Sequence, residues 1–370
     1  MRLYDTAKGT IVPFEPGEIV TMYTCGITPY DSAHLGHAAT YLVYDVLQRR
    51  LRDLGHQTQC VRNITDIDEP LFEKARETGM DWQALGDREV EHFSKTMEAL
   101  NLIPAFSEPR ATESIPDVLG FIGMVLDGGH AYEAGGSVYF DVESWPAFGE
   151  VSHLSPQEML TIAAERGGNV DDPNKRNPLD FVLWQPSQPD EPAWQSLWGN
   201  GRPGWHIECS ALAMRELGTT IDLHGGGTDL IFPHHECESA QSQAATGEPF
   251  VRHWMHVGMV CMDGEKMSKS LGNLVFVRDL LEEWEASAVR LCVLAHHYRD
   301  SWEWNDALMP AAAERLQSWR KGNGAETVLD KVRACLDEDL DTPKALTIID
   351  EAVKRGERVT QSAELLGVVL

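Results

Sequence analysis

The sequence predicts an α/β fold built on a mainly parallel sheet, and three observations predict it. Apolar, β-branched runs recur at "EIVTMYTCG", "HQTQCVRNIT", "TTIDLHGGG" and "HWMHVGMVCM", most of them closing on glycine or a small polar residue. Helical patterns separate them, so strand and helix alternate over the first 300 residues. The first two runs flank a single helix, which makes a right-handed βαβ unit.

Taken in order, "EIVTMYTCG" (18–26) reads as a buried parallel strand stopped by Gly26. From His34 to about Gly55 the pattern is helical, with Gly55 as the stop. "HQTQCVRNIT" (56–65) is the second strand, and "TDIDEPLFEKARETG" is a polar loop entering a helix. Residues 85–101 and 112–129 read as helices, and "GGSVYFDV" (135–142) as an edge strand. The stretch 142–204 is rich in Pro, Gly, Trp and Asp and has no clear period, which suits an insertion or a functional loop. "GWHIECSALAMRELG" is a helix closed by Gly218, "TTIDLHGGG" a short strand, and "DLIFPHHECESAQSQAATG" a loop with Pro233 in a first helical turn. "HWMHVGMVCM" reads as one further strand, and after "GEKMSKSLGN" the chain is mostly helical. Ligands of such sheets sit beyond the carboxyl ends of the strands. Cys25, Thr65, the glycines after Leu223 and Cys261 are therefore expected along one edge.

The chain of 370 residues carries 31 Lys and Arg against 58 Asp and Glu, a net charge of −27. Binding a polyanion means neutralising phosphates with cations, so this balance argues against a large nucleic-acid partner. No run of eighteen apolar residues is present, and "MRLYDTAKGT" lacks a signal peptide's apolar centre; a cytoplasmic protein is expected. The seven cysteines are odd in number, scattered and free of C-x-x-C, which argues against a disulfide framework.

Two motifs carry phosphate chemistry. "HLGH" places His34 and His37 on one face of a helix start, with Gly36 allowing close approach to the backbone. Unpaired N–H groups and the helix dipole favour a phosphate there. "KMSKS" puts Lys266 and Lys269 around Met267 and Ser268, followed by Ser270, between Gly264 and Gly272. Two ammonium groups on a loop suit the moving charge of a triphosphate losing pyrophosphate. Alone, each is also an ordinary helix start or basic loop. Together, in this order, they resemble the two hallmarks of class I aminoacyl-tRNA synthetases. The resemblance implies a Rossmann-type (HUP) catalytic domain with an inserted subdomain and a C-terminal helical domain. It also implies activation of an amino acid by ATP, with Mg²⁺, to an aminoacyl adenylate.

Thiolate and imidazole ligands suit Zn²⁺. Cys25 ends the first strand, Cys209 lies in "HIECSA", and His234 and Glu238 are one helical turn apart in "HHECES". Lone cysteines usually pack as small hydrophobes, and Cys60, Cys292 and Cys335 read that way. The other four residues coincide with the zinc site of cysteinyl-tRNA synthetases. That resemblance implies one zinc per chain, held by Cys25, Cys209 and His234, with Glu238 as a fourth ligand in the free protein and the thiolate of the substrate L-cysteine replacing it. Soft zinc would then discriminate cysteine from serine without an editing domain.

Within this family the chain resembles the mycothiol cysteine ligases, which join cysteine to the amine of glucosaminyl-inositol. "CGITPYD", "GHAATY", "TDIDEPLFEKA", "LTIAAERGG" and "NPLDFVLW" follow the ligase pattern. "AELLGVVL" looks like the ligase's end, where a synthetase continues into an anticodon-binding domain. His224, Glu238 and Leu271 instead follow the synthetase pattern. Residues 313–370 carry nine Lys or Arg and eleven Asp or Glu, so the tail offers no excess cation for tRNA. A small-molecule ligase is the favoured reading. A truncated or repurposed cysteinyl-tRNA synthetase and a non-catalytic zinc and cysteine sensor are the alternatives, the last disfavoured by the intact "HLGH" and "KMSKS". The expected organisation is a catalytic domain over 1–312, with an insertion near 95–204, and a helical region over 313–370. A monomer without a tRNA or membrane partner is expected. By resemblance, Thr28, Thr65, Trp205 and Asp229 line the cysteine pocket. Gly227 and Thr228 of "HGGGTD" let backbone approach the adenylate, while Met259, Val260 and the "KMSKS" residues close over adenine and phosphates.

Overall fold

The computed structural model describes residues 1–267 and 272–370. The chain opens with an antiparallel hairpin, β1 (Arg2–Asp5) and β2 (Thr10–Pro13). The predicted βαβ unit follows: β3 (Ile19–Ile27), α1 (Leu35–Asp53) and β4 (Gln57–Ile64), with β3 and β4 parallel. The helix α1 buries Leu35, Ala38, Leu42 and Val46 at helical spacing as one apolar stripe, and thirteen of its nineteen residues are buried in all. Leu54 caps it, and Gly55 follows at φ +97°, the left-handed turn that glycine accepts most readily.

Next come α2 (Glu69–Thr78) and α3 (Trp82–Ala99). The segment 112–204 adds α4 (Ile115–Asp127), β5 (Ala131–Ala134), β6 (Ser137–Phe140), α5 (Pro156–Glu165), β7 (Phe181–Pro186) and β8 (Gly201–Pro203). The four strands form an antiparallel sheet in sequence order. "GGSVYFDV" is therefore not an edge strand: β6 lies between β5 and β7, and all four of its residues are buried. Its second partner arrives some forty residues later in the chain, inside the stretch without a readable period.

The chain returns to the parallel sheet through α6 (Trp205–Leu217), β9 (Leu223–Gly227), α7 (Glu236–Thr246) and β10 (Trp254–Val257). The central order is β10-β9-β3-β4, all parallel. "HWMHVGMVCM" is not one strand. It breaks at Gly258, where an added Cβ would lie 2.4 Å from the Asp300 carbonyl oxygen. The next strand, β11 (Val260–Met262), pairs with β12 (Glu265–Lys266) and later with β13 (Trp302–Glu303). The first glycine of "HGGG" serves packing. A Cβ on Gly225 would stand 1.8 Å from the Met255 carbonyl oxygen and 2.1 Å from the Tyr44 hydroxyl. Only glycine lets α1 lie this close to β9, with the Tyr44 hydroxyl donating to the Met255 carbonyl at 2.6 Å.

The remainder is helical apart from β13: α8 (Val277–Glu283), α9 (Ala286–Leu294), α10 (Leu308–Trp319), α11 (Leu329–Asp337), α12 (Thr342–Lys354) and α13 (Thr360–Leu365). One apolar cluster runs from Val20 and Leu42 through Leu291 and Leu316 to Leu366. Arg290, 1% exposed, ties three segments together. It pairs with Asp45 of α1 and donates to the Leu100 carbonyl at 2.9 Å and the Leu366 carbonyl at 2.7 Å. Arg290→Met leaves a buried carboxylate and two carbonyls short of a donor. A loss of about 3 kcal/mol in urea unfolding is expected. Among the described residues no helix is long and apolar enough to cross a membrane.

Candidate active site

Strands β3 and β9 lie side by side at the point where the winding of the sheet reverses, with β4 added on one side and β10 on the other. In open α/β sheets ligands bind at this switch, beyond the carboxyl ends of the strands. A cavity of about 360 Å³ opens there. Its wall includes Cys25 and Thr28 after β3, His34, Gly36 and His37 at the start of α1, and Trp205 at the start of α6. Gly227 and Asp229 after β9, and Met259, Val260 and Met267 around β11, complete it among the predicted residues.

His34 caps α1: its Nδ1 accepts from the Gly36 N–H at 3.1 Å. The His34 and His37 rings lie 3.9 Å apart, and a Cβ on Gly36 would sit 2.8 Å from the His34 ring. Burial lowers His34 to about 4, and burial together with the charge of His34 lowers His37 well below the ordinary imidazole value. Both imidazoles are therefore neutral at physiological pH. They can each donate one hydrogen bond to a phosphate without carrying charge themselves. Opposite them, the backbone of 33–35 is bonded to 275–277: Leu35 N–H donates to the Val275 carbonyl at 2.8 Å and Val277 N–H to the Ala33 carbonyl at 3.1 Å. Lys266 stands exposed, 3.7 Å from the Asp229 carboxylate. Ser268, Lys269 and Ser270 lie outside the described residues.

Below the cavity is a buried donor cluster. Cys25, Cys209, His234 and Glu238 each offer one ligand atom, all within 4.8 Å of one another. Tetrahedral zinc with bonds of about 2.0–2.3 Å needs donors in that range, so the set fits the ion by number, softness and spacing. The charge pattern agrees. A hydrogen bond from Cys25 brings the Cys209 thiol down to about 6 despite burial. Burial raises Glu238, but His224 and His234 outweigh it and hold the carboxylate near 2. Trp205 stacks on His234 with ring centroids 4.2 Å apart, so it joins the metal corner to the cavity.

Thr65 and Thr228 fall outside the cavity wall. Thr65 is buried behind it, its N–H donating to the Ile27 carbonyl at 2.9 Å. Several residues that sequence reasoning missed are close by. Cys25, His224, His235 and Glu238 form a second possible donor set. His224 Nε2 meets Glu238 at 3.0 Å, and the His235 ring lies 3.2 Å from the Cys25 sulfur and 2.7 Å from His256. The adjacent pair in "HHECES" was the one readable signal, since neighbours on a helix cannot both face solvent when the helix is buried. Tyr30 and Asp31 of "CGITPYD", and Ser32 after them, also line the cavity, and no role was read for them.

The comparisons with known proteins agree with this geometry. The family model "tRNA synthetases class I (C) catalytic domain" matches residues 11–314. An L-cysteine:1D-myo-inositol 2-amino-2-deoxy-alpha-D-glucopyranoside ligase of Nocardiopsis dassonvillei is 50% identical over 357 residues, 95% of this chain and 88% of that protein. The ligase of the same name from Saccharomonospora viridis is 50% identical over 370 residues, 97% and 89% of the two chains. Among solved structures, the fold is similar to Mycobacterium tuberculosis methionyl-tRNA synthetase in complex with methionyl-adenylate. That match has a TM-score of 0.68 at 15% identity, over 95% of this chain and 87% of that one. It is also similar to the Agrobacterium radiobacter K84 LeuRS ternary complex, TM-score 0.62 at 12% identity, over 96% and 83%. The expected fold class is thus the observed one, and the chain belongs to the class I synthetase (C) catalytic-domain family, in its cysteine–glucosaminyl-inositol ligase branch.

Proposed function

We propose that this protein is an ATP-dependent ligase. It activates L-cysteine as cysteinyl adenylate and joins it to the amine of glucosaminyl-inositol, releasing AMP and pyrophosphate, as a step of mycothiol biosynthesis. The observation that carries this reading is the adjacency of a buried two-thiol, imidazole and carboxylate cluster to the His34–His37 pair across one cavity. The names of the relatives at about half identity support the acceptor. A chain at −27 repels tRNA but not a neutral or cationic amino sugar. A cytoplasmic monomer, carrying one zinc and using ATP with Mg²⁺, completes the proposal.

Cys25, Cys209 and His234 would hold the zinc, with Glu238 as fourth ligand in the free protein; the ion supplies a soft Lewis acid that recognises a thiolate. Trp205 packs over the bound amino acid from the side of His234. Asp229 offers its carboxylate to the substrate ammonium or the ribose, and Thr28 a hydroxyl at the other wall. Neutral His34 and His37, with the start of α1, receive the phosphates, and Gly227 keeps the wall low beside the adenylate. Lys266 and Lys269 neutralise charge as pyrophosphate leaves.

The test is ATP–pyrophosphate exchange with each of cysteine, serine and methionine. Exchange with cysteine alone, at least ~10⁴-fold above serine, is expected. Equal exchange with serine removes the proposal.

A further inference from the structure

Behind Thr28 of the cavity wall stands a carboxylate that neither cysteine activation nor metal binding uses. Asp68 follows β4 and precedes α2. Its Oδ1 caps α2 by accepting the Glu69 N–H at 2.9 Å, and its Oδ2 accepts from the Thr28 hydroxyl at 3.4 Å. Thr28, Tyr30 and Asp31 are cavity residues, and burial together with the charges of Asp31 and Asp68 raises the Tyr30 phenol. The two carboxylates thus act on the same stretch of wall. Arg202 is the nearby cation, but its guanidinium is bonded to Glu69 at 2.7 Å and Glu191 at 3.0 Å. Behind Asp68, the side chain of Glu208 is fully buried, and neither of its oxygens has a hydrogen-bond partner among the described residues. Asp66 completes the group and is occupied by Thr112, which donates to it at 2.7 Å and 2.9 Å. The flank of the cavity beyond Thr28 and Asp31 is thus acidic and half-buried.

This inference rests on the proposed ligase reading. An amino sugar reaches the site as an ammonium ion, which has no lone pair with which to attack. We infer that Asp68 is the general base of amide formation, taking a proton from the acceptor's ammonium as it enters between the Thr28–Asp31 loop and the start of α2. The freed nitrogen lone pair attacks the carbonyl carbon of cysteinyl adenylate. A C–N bond forms, the C–O bond to the phosphate breaks, and AMP leaves with that electron pair. The second proton on nitrogen departs with the AMP phosphate, and Asp68 returns the first to water.

Three titratable groups of the cavity wall are less suited. His34 and His37 are driven far down by burial, and Asp229 faces Lys266. Burial pushes Asp68 up to about 6, against the opposing pull of the Glu69 N–H and Arg202. A base near working pH is the efficient one. Asp68 accepts a proton only as carboxylate, so amide formation falls as pH drops through about 6.

The test follows aminolysis of enzyme-bound cysteinyl adenylate by glucosaminyl-inositol in single turnovers between about pH 5 and pH 9. Asp68→Asn keeps the cap, since asparagine caps helices as well as aspartate, and removes the base. Its amide formation at neutral pH should fall ~100-fold, and the deficit should shrink as pH rises and the amine arrives unprotonated. Asp68→Glu should restore the rate and its low-pH limb. A deficit constant at every pH, one shared equally by cysteine-dependent exchange, or no deficit at all would overturn the assignment. If the parent protein does not react with glucosaminyl-inositol, the ligase reading fails by itself, and the same variants are compared with D-glucosamine as the amine. No reaction of the parent protein with either amine overturns both.

Discussion

Cys209→Ala is expected to abolish metal binding and lower cysteine-dependent pyrophosphate exchange by at least ~10³-fold. Cys209 is buried to 1% exposure on α6 and is the donor whose thiol already leans toward the thiolate. Its loss leaves Cys25, which burial holds protonated, beside His234 and Glu238. Those three cannot reproduce a soft tetrahedral set, and the Glu238 carboxylate remains locked between His224 and His234. The substrate thiol then loses the contact that orients it, so the change should fall on both binding and turnover. Metal analysis of purified protein should give about one zinc per parent chain and almost none in the variant. A metal-free variant that still exchanges at the parent rate would contradict this role.

Lys269→Ala carries the other large effect, a drop of at least ~100-fold in adenylate formation, the scale of removing one electrostatic donor from a transition state. Lys269 lies outside the described residues, but both flanks reach the cavity, since Met267 and Leu274 line it. Cysteine affinity should hardly change, because on the proposed reading the metal corner at His234 holds that substrate. The two quantities separate in exchange kinetics at varied cysteine and varied ATP. Equal damage to cysteine affinity would assign the loop another role.

How much of this was legible in the chain follows from the range of each interaction. The β3–α1–β4 unit is local, and its strand run, apolar stripe and glycine stop could be read directly. The four donors Cys25, Cys209, His234 and Glu238 could be named because their types and the i, i+4 spacing of the last two are informative. The buried set around them could not. His224, His235 and His256 come from three separate segments, and only the packing of β9, β10 and the turn before α7 gathers them. The position of β6 was misread for the same reason, since its partner β7 lies within the stretch 142–204 that has no readable period. Gly225 was read as a ligand glycine, yet the contact it requires is with Tyr44, almost two hundred residues earlier. Asp68 fell in a stretch read only as a polar loop entering a helix; it caps α2, and that it also stands beside Thr28 depends on the register of β3 against β4.

The most direct test of the central claim offers one preparation two acceptors, glucosaminyl-inositol and cysteine-accepting tRNA, with cysteine and ATP at physiological salt. AMP release and product mass are followed together. The net charge of −27, the carboxylates of Asp31 in the cavity wall and Asp68 behind Thr28, and the relatives at about half identity predict a cysteinyl-glucosaminyl-inositol amide formed with stoichiometric AMP and no cysteinylated tRNA. Cysteinylated tRNA without the amide would contradict it.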